Sequence, residues 1–250
     1  MSGHSKWSTI KRKKGAADAK RGKIFSKLAK EISVAAKFGG GDPESNARLR
    51  TVLLAARAQN MPKENIERAL KRGTGELPGV TYEEVRYEGY GPGGVAIIVD
   101  VLTDNKNRTV SEIRHILSKN GGSMAETGAV KWNFELRGAI TVPRGGLSDD
   151  DLFEKAIEAG AEDVDTEGDV CEIRTDPQQL HAVAERLASM GLAPEEAQLT
   201  MVPKTTIKVS GKDAGTLLRL IESLEDHDDV QNVYSNFDKS LEEMAALMEA

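Results

Sequence analysis

Four clusters in this chain have residue types that could do chemistry. Gly89-Tyr-Gly91-Pro-Gly93-Gly94 satisfies the G-x-G-x-x-G letters of a dinucleotide site. That chemistry needs a helix N-terminus directly after the glycines to hold the pyrophosphate. A β-branched run follows here instead, so the segment reads as a glycine-rich hairpin or loop. Asp163-Val-Asp165-Thr-Glu167-Gly168 resembles the opening of a calcium loop, but Arg174 stands where the bidentate glutamate is required. The same stretch fits a hairpin turning at Gly168-Asp169, with Cys171 and Ile173 on its apolar face. Asp149-Asp150-Asp151, with Glu154 and Glu158, follows Ser148 and reads as the charged first turn of a capped helix. His4, His115, His181 and His227 have no paired spacing, so no metal site is expected. Neither a P-loop nor a G-x-S-x-G elbow is present, and we expect no enzyme, no cofactor and no small-molecule substrate.

The fourth cluster is basic. Lys6, Trp7, Lys11, Arg12, Lys13, Lys14, Lys20, Arg21, Lys23, Lys27 and Lys30 gather many cations around one aromatic. That mixture suits phosphate tracking, with Trp7 either stacking on a base or pinning the arm as an apolar anchor. Within residues 1–75, 18 Lys and Arg face 6 Asp and Glu, while the other 175 residues hold 16 against 34. A net charge of -6 therefore conceals a cationic front of +12 and an anionic remainder of -18. Such segregation points to a polyanion-binding module on a body that repels polyanions. No zinc finger, aromatic RNA-binding signature, basic zipper or short glycine turn of a helix-turn-helix accompanies it. The chemistry expected is a grip on the sugar-phosphate backbone without reading of bases.

Composition is consistent with that reading. The 250 residues are 39% hydrophobic and 30% charged, which excludes a membrane protein and a disordered chain. With one cysteine, Cys171, no intramolecular disulfide can form, which fits a reducing compartment, and the cytoplasm is the expected location. Neither a signal peptide nor a membrane span is legible.

The elements that must hold the basic cluster are helical. After an arm over residues 1–16, Asp18 to Lys37 carries Ile24, Phe25, Leu28, Ile32 and Ala36 at helical spacing. Gly39-Gly40-Gly41 stops that helix, and Asp42-Pro43 reads as the cap and first residue of a second, running to Asn60. A third spans Lys63 to Arg72, with Gly73 as its stop. Past a linker at 74–81 the period becomes extended. Strands Tyr82–Tyr90 and Val95–Thr103, a helix Thr109–Lys119 and a strand Ala129–Phe134 are expected. From Gly138 the order is β-α-β-β-α-β, the ferredoxin-like split pattern. A last strand, helix and strand over 205–234 lack a sheet and are expected to complete the one begun at Tyr82. Ser240–Ala250 reads as a short helix. The fold class expected is a multidomain α+β protein: an all-α basic domain (1–77), a middle α+β domain (78–135 plus 204–250) and an inserted ferredoxin-like domain (136–203).

Several stretches resemble the YebC family, whose mitochondrial members are translational activators of cytochrome oxidase subunit one. They are Gly3-His-Ser-Lys-Trp7, the run Arg21 to Ile32, Asn60 to Ile66 with Lys71 to Glu76, Tyr87 to Gly94, and Leu102 to Thr109. The match is dense over the first 134 residues and continues by element order. The resemblance implies a three-domain, non-enzymatic cytoplasmic protein, labelled in bacteria as a DNA-binding transcriptional regulator. Other members look like ribosome-associated translation factors that help elongation through consecutive prolines. The chain opens directly on the Gly3–Trp7 motif, so no organellar presequence is expected. His4, Lys71 and Arg72, within these motifs, join the candidate nucleic-acid set. Asn105, Lys106, Asn107 and Arg108, between a strand and a helix, form a secondary candidate for phosphate, although Asn107 could equally be a helix cap.

Two partners are therefore expected, duplex DNA with the transcription machinery or ribosomal RNA with the ribosome, and no membrane. About six phosphate contacts give a log-log salt slope near -5 on B-DNA. Replacing Lys11, Arg12, Lys13 and Lys14 with alanine is expected to flatten that slope in a binding titration. An unchanged affinity and slope would remove the arm from the contact surface.

Overall fold

A computed structural model describes residues 18–166, 170–239 and 243–244, with side chains from Arg21 onward. They form a mixed α/β protein of helices and antiparallel sheets, in two compact units. One comprises residues 18–131 and 210–233; the other comprises 132–209 and the described residues beyond 233.

The first unit begins with three helices, α1 (Asp18–Gly39), α2 (Ala47–Ala58) and α3 (Lys63–Gly73). Ile32 and Ala35 of α1 meet Leu49, Val52, Leu53 and Ala56 of α2, Ala69 of α3 and Met61 between them. Both α2 and α3 pack on α1. The α1–α3 crossing is close because small residues line it. Ser33 Oγ donates to Ala69 O at 2.8 Å, and a Cβ on Gly73 would lie 2.4 Å from Ser33 O. Gly73 is thus the last residue of α3, and its role is to let two backbones touch; the chain turns at Gly75, where φ is +83°.

The start of α2 differs from expectation. Asp42 caps only a local turn, its Oδ1 accepting from Glu44 N–H, and the helix opens four residues later at Asn46. Buried Asn46 accepts from Leu49 N–H and donates Nδ2 to Ala35 O and Gly40 O. One side chain therefore caps α2 and satisfies carbonyls at the end of α1, a tertiary advantage that no local rule contains.

The same unit carries an antiparallel hairpin of β1 (Glu83–Tyr90) and β2 (Ala96–Thr103), then α4 (Lys106–Lys119) and β3 (Ser123–Ala125). Far along the chain, α7 (Gly211–Glu225) and β9 (Val230–Ser235) return to it, and the sheet order is β3-β1-β2-β9. The strand expected at Ala129–Phe134 is absent. Glu88, 3% exposed, takes the N–H groups of Gly128, Val130 and Lys131 on its carboxylate at 2.7 to 2.9 Å, so those amides cannot join a ladder. Burial alone would push that carboxyl up, but the three amides outweigh it and hold its pKa below the usual value. Short β3 pairs with β1 instead.

In the second unit, β4 (Phe134–Pro143), α5 (Asp149–Ala159), β5 (Asp163–Asp165), β6 (Val170–Thr175), α6 (Leu180–Ser189) and β7 (Glu196–Pro203) follow in order. Their sheet has the order β5-β6-β4-β7, every neighbouring pair antiparallel. Ile140, Val142, Cys171 and Ile173 from the strands pack on Leu152 and Ala156 of α5 and Val183 and Leu187 of α6. Ser148 Oγ accepts from Asp151 N–H at 3.1 Å, so the three aspartates sit in the first turn of α5. Burial pushes the Cys171 thiol up to about 11. A two-stranded parallel ladder, β8 (Ile207–Lys208) with β10 (Phe237–Asp238), completes the unit, so the strand expected over 205–209 does not join the sheet begun at Tyr82, where β9 alone of the two returning strands pairs. The turn expected at Gly168-Asp169 and most of the helix expected at 240–250 lie outside the described residues. No helix of the described residues is long and apolar enough to cross a membrane.

Gly73→Ala separates packing from propensity. Alanine in a helix is favoured over glycine by about 1 kcal/mol, whereas a methyl forced against a backbone oxygen costs about 1–3 kcal/mol. A net destabilisation, read as a lower midpoint in urea with unchanged slope, is expected; a gain in stability would show that α1 and α3 can separate freely.

Candidate nucleic-acid interface

His4, Lys6, Trp7, Lys11, Arg12, Lys13 and Lys14 lie outside the described residues, as does the side chain of Lys20. What the structure places is the remainder of the basic set, and it falls into two groups.

The first group is a row on α1. Lys23, Lys27 and Lys30 are spaced at i, i+4 and i+7 and share one helix face. That face meets the segment after α7. Lys23 Nζ donates to Asp226 O at 3.1 Å, Lys27 Nζ to Glu225 O at 2.6 Å, and Lys30 Nζ to Asp228 O at 3.0 Å and Asp229 Oδ1 at 2.7 Å. The sites are chemically apt: the last carbonyls of a helix lack intrahelical partners and carry its negative pole. Arg21 of the same helix is exposed.

Asp229 gathers far more than Lys30. Its Oδ2 accepts from Arg108 at 2.7 Å, Thr109 Oγ1 at 2.8 Å and Thr103 Oγ1 at 3.3 Å, while its backbone carbonyl accepts from Leu102 N–H. The side chain is only 5% exposed. Burial alone would raise this carboxyl's pKa, yet the bonds from Lys30, Arg108 and Thr109 prevail and hold it well below the usual carboxylate range.

This hub also takes the secondary candidates. Arg108 is bound to Asp229 and Asp104, and Lys106 to Glu83. Asn105 is the cap of α4, its Oδ1 accepting from Arg108 N–H at 3.1 Å, so α4 starts before Asn107 and Asn107 lies inside it, exposed. A groove of about 600 Å³ beside these residues is lined by Lys23, Lys30 and Arg108, but also by Asp104, Glu112, Asp226, Asp228 and Asp229. Five carboxylates against three cations disfavour a phosphate there.

Glu112, His227 and Asp229 bring ligand-type atoms within 4.8 Å of one another. Their hydrogen bonds argue against a cation. The Asp229 N–H carries a fixed proton and points at His227 Nδ1 at 3.1 Å, so Nδ1 accepts. Nε2 then bears the hydrogen directed at Glu112 Oε2, 2.9 Å away, and neither ring nitrogen has a free lone pair. Lys30 and Arg108 already neutralise Asp229.

The second group of cations is on α3. Arg68, Lys71 and Arg72 are spaced at i, i+3 and i+4 in its last two turns and all are exposed. Among the described residues none has a salt-bridge partner, whereas Lys63 in the first turn pairs with Glu67. The stem of Arg72 lies under Gly79, where a Cβ would come within 3.2 Å of Arg72 Cγ. Sequence reading had Lys71 and Arg72 and missed Arg68, which belongs to the same face by helical spacing alone. It also missed Asp229, for which the only local signal is the acidic run Asp226 to Asp229.

The Gly89–Gly94 segment ends β1 and passes through a short 3₁₀ turn, Pro92–Gly94, into β2, so no helix N-terminus faces its glycines. A Cβ on Gly91 would meet Ile97 and Leu217 at 2.9 and 3.0 Å. Close packing is the reason for that glycine.

Family models match two stretches of the chain, the "TACO1/YebC protein N-terminal domain" over residues 5–76 and the "TACO1/YebC second and third domain" over 82–237. A relative from Geotalea uraniireducens is 58% identical over 248 residues, covering 99% of this chain and all of the relative. One from Acidithiobacillus ferrooxidans is 59% identical over 247 residues, covering 99% of this chain and 98% of its own. Both are named "Probable transcriptional regulatory protein". A crystal structure of a conserved hypothetical protein from Aquifex aeolicus is similar with a TM-score of 0.82 at 50% identity, covering 88% of this chain and 91% of that one.

Asp229→Asn tests the hub. The variant leaves Lys30 and Arg108 beside a neutral amide and is expected to cost roughly 2–3 kcal/mol in chemical denaturation at neutral pH. A carboxyl held below its unfolded value stabilises the fold above about pH 4, and that contribution fades as pH falls further. The wild type should therefore lose stability below about pH 4 more steeply than the variant. Parallel acid limbs would show that Asp229 contributes no charge to stability.

Proposed function

The chain belongs to the TACO1/YebC family, and we propose that it is a non-enzymatic, nucleic-acid-binding regulator of gene expression, acting in the cytoplasm on DNA through its basic N-terminal helical module. The observation that carries this is charge segregation: +12 over the first 75 residues against -18 over the rest. Attraction at the cationic end survives because fields are screened within about 8 Å at physiological salt, and the anionic remainder keeps phosphates off other surfaces. The names of the relatives support the regulatory reading.

The corresponding layout has a basic helical domain (1–77), a middle α+β domain (78–135 with 204–250) and an inserted ferredoxin-like domain (136–203). The two family models meet between residues 76 and 82, and the order β5-β6-β4-β7 is that of a split β-α-β unit. Both support it.

A second reading is a ribosome-bound factor lying on ribosomal RNA, since the sequence carries no zinc finger, basic zipper or other base-reading signature. A backbone binder of this kind suits structured RNA as well as duplex DNA.

Fluorescence anisotropy of the full chain with labelled DNA and RNA duplexes tests the proposal. Binding to DNA that weakens steeply between about 50 and 200 mM salt is expected. No binding to either at the lower salt would overturn it. Sedimentation of cell lysate at low salt separates the partners: co-migration with ribosomal particles that survives DNase but not RNase would replace DNA with ribosomal RNA.

A further inference from the structure

We infer that the phosphate-contacting face of the described helical module is the C-terminal half of α3, through Arg68, Lys71 and Arg72. The lysine row of α1 is instead an internal clamp. This rests on the nucleic-acid reading above and divides the basic residues that charge counting treats as one set.

The two groups differ in what a phosphate must displace. Lys30 is mostly buried, 15% exposed, with its ammonium 2.7 Å from a carboxylate that is itself 5% exposed. A phosphate recruiting Lys30 would leave Asp229 in a sheltered place with one cation fewer, an uncompensated charge that protein interiors tolerate poorly. Lys23 and Lys27 would also have to leave Asp226 O and Glu225 O, re-exposing the orphan carbonyls at the end of α7. A strand of phosphates approaching the row would further meet Asp226, Asp228 and Asp229 on the facing segment.

Arg68, Lys71 and Arg72 impose no such costs. They are exposed, spaced to project from one side of a helix, and without a salt-bridge partner among the described residues, while the neighbouring Glu67 pairs with Lys63. Two of the three are arginines, whose planar fork matches phosphate oxygens with paired donors. A further constraint helps Arg72: with its stem held under Gly79, less side-chain freedom is lost when the guanidinium engages. The ligand is a sugar-phosphate backbone, in DNA or RNA.

The experiment compares full-length variants on labelled DNA and RNA duplexes of about three helical turns, titrated from about 50 to 200 mM salt. Each phosphate contact contributes about 0.9 to the slope on B-DNA. Arg68→Gln/Lys71→Gln/Arg72→Gln should flatten it by nearly 3, so that the variant loses about 40-fold less affinity over that salt range than the wild type. Lys23→Gln/Lys27→Gln/Lys30→Gln should keep the wild-type slope while melting at a lower temperature.

Should that second variant fail to fold, amide hydrogen exchange on the wild type decides: duplex should protect residues 63–79 and leave 225–229 unchanged. An unchanged slope in the α3 variant while the wild type binds, or protection confined to 21–30 and 225–229, overturns the inference and leaves the functional reading standing. A wild type that binds neither duplex overturns the functional reading itself. The RNA and DNA arms show which nucleic acid supplies the phosphates.

Discussion

The buried carboxylate of Asp229 is the constraint on which the first unit depends. Its two oxygens and its backbone carbonyl together receive groups from α1, from the end of β2 and from the start of α4. A carboxylate this sheltered persists only because Lys30, Arg108, Thr109 and Thr103 satisfy it together. The same atoms thus join the helical module to the sheet of its own unit and determine which of the module's lysines face outward.

That arrangement changes the meaning of a basic sequence. Counting lysines along residues 1–41 suggests one uniform cationic surface, but side chains on a helix point in all directions and some meet carbonyls and carboxylates of the same chain. A helix C-terminus offers lysine the same partial negative charge, at closer range, that a phosphate offers from solution. The cations left for an external polyanion are those not already held by a carbonyl or a carboxylate of the same chain, and among the described residues Arg68, Lys71 and Arg72 of α3 have no salt-bridge partner.

Much of the architecture was legible because it follows local rules. The spacing of Phe25, Leu28 and Ile32 gives α1, the alternation on either side of Gly91–Gly94 gives the β1–β2 hairpin, and Ser148 with three aspartates marks the start of α5. Misreadings occurred where a distant side chain captured backbone groups. Asn46 starts α2 because it also serves the end of α1, and Glu88 removes the amides that a strand at Ala129–Phe134 would need. Asp229 was illegible for the same reason: its partners Lys30 and Arg108 are 199 and 121 positions away. No periodicity or motif window spans such distances.

Cys171 lies fully enclosed between the sheet and helices of the second unit, and its proton is held to about pH 11. A thiol in that condition offers almost no nucleophilic sulfur to peroxide, alkylating reagents or a neighbouring copy. With no other cysteine in the chain, the folded protein can be handled in air without forming disulfide-linked aggregates.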